Sequence, residues 1–67
     1  MEMIPIGRSS AIRAVGYDER SLRMRIAFQE GHTYEFCRVP LRIFEGLLHA
    51  ASAGTYYNQH IKDRYNC

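Results

Sequence analysis

The sequence predicts a small α+β domain, in which a three-stranded antiparallel β-meander is followed by two short α-helices packed on one face. Residues 22–28 alternate apolar and polar side chains, which is the pattern of a half-buried strand. A turn that contains glycine separates this segment from another β-rich segment, as in a hairpin. From residue 40 onward the apolar residues recur at intervals of three and four, which is the spacing of amphipathic helices.

Length and composition indicate one folded unit. The 67 residues suffice for one hydrophobic core, so we expect a single domain over residues 1–67 with its core at about 9–65. Hydrophobic residues make up 46% of the chain and charged residues 24%, which indicates a folded chain rather than a disordered one. The net charge of +2 is too small to indicate a nucleic-acid partner by itself. All but one of the nine cations are arginines, which favours planar contacts to phosphate or carboxylate.

The two cysteines have neither the number nor the spacing of a secreted disulfide framework. We expect Cys37, within a predicted strand, and Cys67 to be free thiols. The N-terminal segment lacks the apolar core of a signal peptide, and no run of about 18 apolar residues could span a bilayer. We therefore expect a cytoplasmic protein without a membrane partner.

The predicted strands begin after residues 1–10, which carry no strong hydrophobic period. The first strand covers Ala11 to Tyr17 and ends in the polar residues 18–21, which suit a turn. The second covers Leu22 to Phe28 and alternates without interruption. The apolar face of the second strand consists of Leu22, Met24, Ile26 and Phe28.

Two pairing registers are possible for the next hairpin, and the register decides which side chains share a face. A two-residue loop at residues 30–31 would place Tyr34 and Phe36 on the face of Arg25 and bring charge into the core. A three-residue loop at 29–31, with Gly31 in the left-handed conformation, keeps the apolar faces together. Its pairs are Ile26 with Tyr34, Met24 with Phe36 and, on the outer face, Arg25 with Glu35. We therefore predict the three-residue loop.

Two helices are predicted after Pro40, whose missing N–H is tolerated in the first helical turn. The apolar stripe of the first helix is Leu41, Phe44, Leu47, Leu48 and Ala51. Gly54 ends the next loop, and Thr55 is the predicted N-cap of the second helix. The buried stripe of the second helix is Tyr57, Ile61 and Tyr65. The row expected to face water is Tyr56, His60 and Arg64, with Gln59 and Lys62 nearby.

Four short motifs occur in a fixed order along the chain. They are Ser9-Ser10-x-Ile12-x-x-Val15-Gly16-Tyr17-Asp18, Tyr34-Glu35-Phe36, Val39-Pro40 and Gly54-x-Tyr56-Tyr57-Asn58-x-x-Ile61-x-x-x-Tyr65. In their order and spacing the chain resembles the KTSC domain from about Ser9 to Tyr65. That family takes its name from a module at the C-terminus of some lysyl-tRNA synthetases, and it also occurs as free-standing small bacterial proteins. The family's central motif is Tyr-x-Tyr, whereas Phe36 here lacks the second hydroxyl.

Because this domain occurs in some lysyl-tRNA synthetases, the resemblance suggests RNA as a partner. Two surfaces are candidates for the RNA contact. On the outward face of the first two strands, guanidinium groups could meet phosphates at Arg13, Arg23 and Arg25. On the second helix, a ring and cations as in single-strand RNA binders are offered by Tyr56, His60, Lys62 and Arg64. The alternative for each surface is an ordinary solvated face, and Glu35 is expected to neutralise Arg25.

Other motif residues are assigned to the structure rather than to a ligand. Tyr34 and Phe36 share the face of the buried strand residues, which favours core packing over base stacking. Asn58 is expected to be a structural hydrogen-bonding residue near the loop before the second helix.

The sequence contains no arrangement typical of an enzyme or a metal site. It has no CxxC or HxxxH pair, no nucleophile elbow and no phosphate-binding glycine run, so we expect no catalysis, metal, cofactor or small-molecule substrate. The alternative to RNA binding is a protein-interaction or homo-oligomerisation domain, since a small sheet leaves strand edges unpaired. The apolar residues in excess of the predicted core are Ile4, Ile6 and Ile43.

Overall fold

The computed structural model describes all 67 residues. They form one antiparallel sheet with two helices packed on one of its faces. The elements are β1 (Met3–Pro5), β2 (Ile12–Asp18), β3 (Arg23–Phe28), β4 (Thr33–Phe36), α1 (Leu41–His49) and α2 (Ala53–His60). The strand order in the sheet is the order in the chain, so each strand pairs with the next. The predicted α+β fold is confirmed, with one strand more than the sequence indicates. Neither helix is long and apolar enough to cross a membrane.

The additional strand is β1, which pairs with β2 through Met3 opposite Gly16 and Pro5 opposite Ala14. Three residues are too few to show a hydrophobic period, and proline is rare in strands except at a sheet edge. β1 is such an edge strand, so the N–H that Pro5 lacks is not needed for a further ladder. The strand therefore depends on the free edge of β2, which the local sequence does not reveal.

The β3–β4 hairpin has the predicted three-residue loop. Its pairs are Met24 with Phe36, Arg25 with Glu35 and Ile26 with Tyr34. The Phe28 amide donates to the His32 carbonyl at 2.9 Å and closes the ladder before residues 29–31. Gly31 has a φ of +114°, in the region that favours glycine, as the turn requires.

The core lies between the inner face of the sheet and the two helices. Its buried residues are Ile12, Val15, Met24, Ile26, Phe36, Val39, Phe44, Leu47, Ala53 and Ile61. The predicted burial of Phe36 and Ile61 is confirmed, and Tyr57 and Tyr65 pack partly against this cluster as expected. Leu41 is instead 39% exposed, because it is the first residue of α1 and lies at the margin of the core.

The helices begin and end at other residues than predicted. Pro40 is the N-cap of α1 rather than part of its first turn, and Ala51 lies beyond the end of the helix at His49. The N-cap of α2 is Ser52 and not Thr55, because the Ser52 hydroxyl accepts a hydrogen bond from the Thr55 amide at 3.3 Å. Both helices are consequently short.

Cys37 and Cys67 are joined by a disulfide, so the expectation of two free thiols is wrong. The C-terminal segment returns to the end of β4, where Asn66 forms a bridge with Phe36 and the Cys37 amide donates to the Tyr65 carbonyl at 2.8 Å. The two cysteines are 30 residues apart, so local sequence pattern does not show that they meet. Because disulfides persist in oxidising compartments, the cysteines no longer favour a cytoplasmic location.

Candidate nucleic-acid interface

The outer face of the sheet carries two predicted arginines that share one carboxylate. Arg23 Nη1 donates to one oxygen of Glu35 at 2.6 Å, and Arg25 Nη2 donates to the other at 2.9 Å. These hydrogen bonds, first that of Arg25 and then that of Arg23, lower the pKa of Glu35. The side chains of Arg23 and Arg25 remain 51% and 44% exposed. Arg23, Arg25 and Glu35 together carry one excess positive charge, and Asp18, which pairs opposite Arg23, adds a second carboxylate to the same face.

Arg13 stands apart from the other two arginines. It is exposed in β2 where the register against β3 shifts, and it makes no ion pair. The residue opposite Arg25 is Gly16, three positions along β2 from Arg13. Three strand residues span roughly 10 Å, so the arginines form a pair and a separate single cation rather than one cluster.

The predicted row on the second helix is broken. Tyr56 is half-buried against α1, where a side chain at Gly46 would collide with its hydroxyl group. The His60 ring lies beside it at 4.5 Å between ring centroids. α2 ends at His60 and Asp63 has a φ of +62°, so Arg64 does not continue the helical row. The prediction that Tyr56 faces solvent is therefore wrong. The helical period shows only one buried side of α2, and it does not reveal that α2 packs on α1 as well as on the sheet.

Asn58 lies on the exposed side of α2, and its side chain makes no hydrogen bond in the structure. Its predicted role as a structural hydrogen-bonding residue is therefore wrong. The cap that the loop before α2 needs is supplied by Ser52 instead. Asn58 is consequently available to solvent.

The prediction that Tyr34 packs in the core is also wrong. The register places it on the inner face as predicted, yet it is 49% exposed. It lies toward the loop end of the β3–β4 hairpin, where its ring contacts Phe28 and His32 at centroid distances of 5.6 and 6.0 Å. The helices cover the Phe36 end of β4 and leave the Tyr34 end open.

The exposed Tyr34 borders a cleft of about 480 Å³, which we call the aromatic cleft. Its rings are those of Phe28, Tyr34 and Tyr57, and its other lining residues are Ser10, Ala11, Gln29, Glu30 and Lys62. Phe28 meets Tyr34 at 5.6 Å and Tyr57 at 5.1 Å, both edge to face. Burial, with smaller contributions from Asp63 and Tyr34, raises the pKa of Tyr57. The sequence holds no signal for this site, because its three rings come from three elements.

A second cleft, of about 290 Å³, lies between the β1–β2 and α1–α2 loops. Two of its three serines, Ser9 and Ser52, already form hydrogen bonds with the backbone. The Ser9 hydroxyl accepts from the Ala11 and Ile12 amides at 3.1 and 2.9 Å, and Ser52 caps α2. Elsewhere, no group of three or more His, Cys, Asp or Glu side chains is placed to hold a metal ion.

Comparison with known proteins decides the family. The family model described as the KTSC domain matches residues 8–65. The chain belongs to the KTSC domain family. The crystal structure of a KTSC domain protein from Yersinia pestis has a TM-score of 0.91 and 31% identity to it, over 96% of this chain and 89% of that one.

Two relatives show the range of proteins that contain similar segments. A protein of Tsukamurella paurometabola is 40% identical over 57 residues, which is 85% of either chain. A lysine–tRNA ligase of Nostoc punctiforme is 32% identical over 56 residues, which is 84% of this KTSC domain but 10% of the ligase. The KTSC domain thus resembles a small segment of a much longer protein as well as proteins of its own size.

Proposed function

We propose that this KTSC domain is a non-enzymatic accessory module that binds RNA through backbone phosphates at the outer sheet face. The observation that carries the proposal is the pair Arg23 and Arg25, held side by side by Glu35 and still about half exposed. An excess positive charge on a fixed pair of guanidinium groups suits a phosphate, which offers several acceptor oxygens.

Glu35 orients Arg23 and Arg25 and leaves some of their N–H donors without a partner. It accepts one hydrogen bond from Arg23 and two from Arg25, at 3.1 and 2.9 Å. Each guanidinium carries five N–H donors, so N–H groups of both arginines stay free for phosphate oxygens. Because the carboxylate already orients both side chains, less conformational entropy is lost when a phosphate binds.

The similarity to a segment of lysine–tRNA ligases supports RNA as the partner class, since the name of those relatives connects them with tRNA. An RNA partner implies a cytoplasmic location. There the disulfide between Cys37 and Cys67 would be exposed to reducing thiols.

The experiment is fluorescence anisotropy of labelled single-stranded RNA, duplex RNA and tRNA titrated with the protein at about 50 and 200 mM salt. We expect binding that weakens steeply with salt. Arg23→Ala and Arg25→Ala should each weaken it and reduce the slope of log affinity against log salt by about 0.7 for a single strand.

Arg42→Ala is the matched control, because it removes the same charge from an exposed position on α1. It should leave affinity and salt slope unchanged if the outer sheet face is the site. Absence of binding at 50 mM salt, or an equal loss in Arg42→Ala and Arg23→Ala, would contradict the proposal.

Association with a protein, including a second copy of the chain, is the second candidate function. Ile4, Leu22 and Leu41 are apolar and exposed, and β1 leaves one sheet edge unpaired. Ile6 and Ile43, which the sequence indicates as apolar residues in excess of the core, instead pack partly against it. Sedimentation that shows a dimer whose stability does not fall with salt would favour this function over RNA binding.

A further inference from the structure

The aromatic cleft is separate from the arginine pair, because the two lie on opposite faces of the sheet. Alternation along β4 places Tyr34 on the inner face and Glu35 on the outer one. Phosphate contacts at Arg23 and Arg25 therefore do not account for the exposed Tyr34 ring on the inner face.

Two unused donors line the cleft. The hydroxyl groups of Tyr34 and Tyr57 make no hydrogen bonds in the structure, whereas that of Tyr17 is bonded at 2.6 Å. The Gln29 amide nitrogen donates to the Ser9 carbonyl at 3.2 Å, which leaves its side-chain oxygen free as an acceptor. The lining thus offers aromatic faces together with hydrogen-bonding groups of both kinds.

Size and charge narrow the class of ligand. A cleft of about 480 Å³ lies within the range of pockets that bind small organic groups. Three aromatic rings favour a flat ring, which can stack on them or meet them edge to face. The charged lining residues are Glu30, whose carboxylate is hydrogen-bonded to His32 at 2.8 Å, and Lys62, which makes no ion pair. The Lys62 side of the cleft therefore favours a ligand with an anionic group beside the flat ring. A nucleotide combines these properties.

We propose that the aromatic cleft binds one unpaired base of single-stranded RNA, with Lys62 contacting the adjoining phosphate. This proposal rests on the RNA-binding function above and makes it more specific. A base within a duplex is stacked and paired, so it cannot enter the cleft. The domain should therefore prefer single strands, loops and ends to uninterrupted duplex.

The test compares three probes of equal length by fluorescence anisotropy: a single-stranded RNA, the same backbone without bases, and a duplex. We expect the intact single strand to bind roughly 5- to 150-fold more tightly than the abasic strand, the range that stacking of one base supports. Tyr34→Ala should abolish this difference and leave abasic binding unchanged. Arg23→Ala should weaken both strands equally.

Matched variants separate loss of the ring from loss of the fold. Tyr34→Phe retains the ring and should retain most of the preference, while Leu41→Ala removes an exposed apolar side chain outside the cleft and should change nothing. Because Tyr34 is half-exposed, Tyr34→Ala should remain folded and lose only the contact of its ring with Phe28, which lowers the unfolding temperature by roughly 5 °C.

A titration with adenosine and uridine monophosphates, followed by NMR, tests the cleft independently of long RNA. We expect shifts in the ring resonances of Tyr34 and Tyr57 that Tyr34→Ala removes. Equal binding of intact and abasic strands would overturn the cleft proposal while phosphate-driven binding stands. If no strand binds but the mononucleotides shift these rings, the RNA function fails and the base site stands. If neither occurs, both proposals are wrong.

Discussion

The Tyr17 hydroxyl donates a 2.6 Å hydrogen bond to the backbone carbonyl of Val39, which connects β2 to the segment before α1. The same ring stacks on Phe44 at 4.9 Å between centroids and 14° between planes. Burial, followed by the charges of Glu19 and Asp18, raises the pKa of Tyr17. One side chain thus fixes α1 against the sheet by a stacked ring and a hydrogen bond.

Tyr17→Phe keeps the stacked ring and removes the hydrogen bond, so it should lower the free energy of unfolding by about 1 kcal/mol. Urea denaturation followed by circular dichroism measures the change. Tyr34→Phe is the control, because the hydroxyl it removes has no hydrogen-bond partner, and it should leave stability unchanged. Equal stabilities of wild type and Tyr17→Phe would contradict a role for this bond.

The raised pKa of Tyr17 adds a pH dependence with a definite sign. A folded-state pKa above the ordinary value of 10.0 means that the folded protein holds this proton more tightly than the unfolded chain. Stability should therefore fall as the pH rises above 10.0, and this contribution should be absent in Tyr17→Phe. Parallel pH profiles of the two proteins in this range would contradict it.

Gly31→Ala should destabilise the β3–β4 hairpin by about 1–2 kcal/mol, because a Cβ is unfavourable at positive φ. No atom lies within 4 Å of the Cβ position, so the effect is one of backbone conformation alone. Gly7→Ala is the matched control, since its Cβ also meets nothing within 4 Å and its φ lies outside the positive range. Thermal unfolding should show a lower midpoint for Gly31→Ala only, and an unchanged midpoint would count against the turn.

Cys67→Ser should lower the free energy of unfolding by roughly 3–4 kcal/mol, the entropic value for a loop of about 30 residues. Wild type in reducing buffer should approach the stability of the variant, while the variant itself should not respond to reductant. Alkylation of unfolded wild type without reductant, read by mass spectrometry, should modify no cysteine. Two alkylated cysteines would show that the bond does not form.

Glu35→Gln should remove part of the acid sensitivity of the protein. The pKa of Glu35 is lowered, so its contribution is complete above the ordinary value of 4.5 and is lost as the pH falls through the lower folded-state pKa. Wild type should unfold at a higher temperature than Glu35→Gln at pH 7, and the difference should close in strong acid. Glu45→Gln, at an exposed α1 position without an ion pair, should show no such difference. A gap between wild type and Glu35→Gln that persists in strong acid would argue against the pairing.

Much of the fold follows from local pattern. The alternation of residues 22–28 and the free-energy cost of burying a charge select one hairpin register, and the pairing of Arg25 with Glu35 agrees with it. β1 does not follow from pattern, because a three-residue edge strand gains its stability from the strand it joins.

The candidate site follows from the sequence only in part. Arg23 and Arg25 lie on the outer face as strand alternation requires, but whether Glu35 binds one or both depends on side-chain geometry across two strands. The prediction of an exposed row that begins at Tyr56 is wrong, because the buried side of a short helix depends on every element that packs against it. The Gly46 position that admits Tyr56 is ten residues away and carries no local sign of this contact.

The sequence by itself determined the α+β class, the strand register and the core positions of Phe36 and Ile61, because these depend on periods that each segment carries within itself. Only the tertiary structure decided that Tyr34 is exposed, that Cys37 meets Cys67, and that the aromatic cleft exists. A period shows the direction of a side chain relative to its own strand or helix. What covers that side chain is set by segments distant in the chain, whose position emerges only when the whole core has packed.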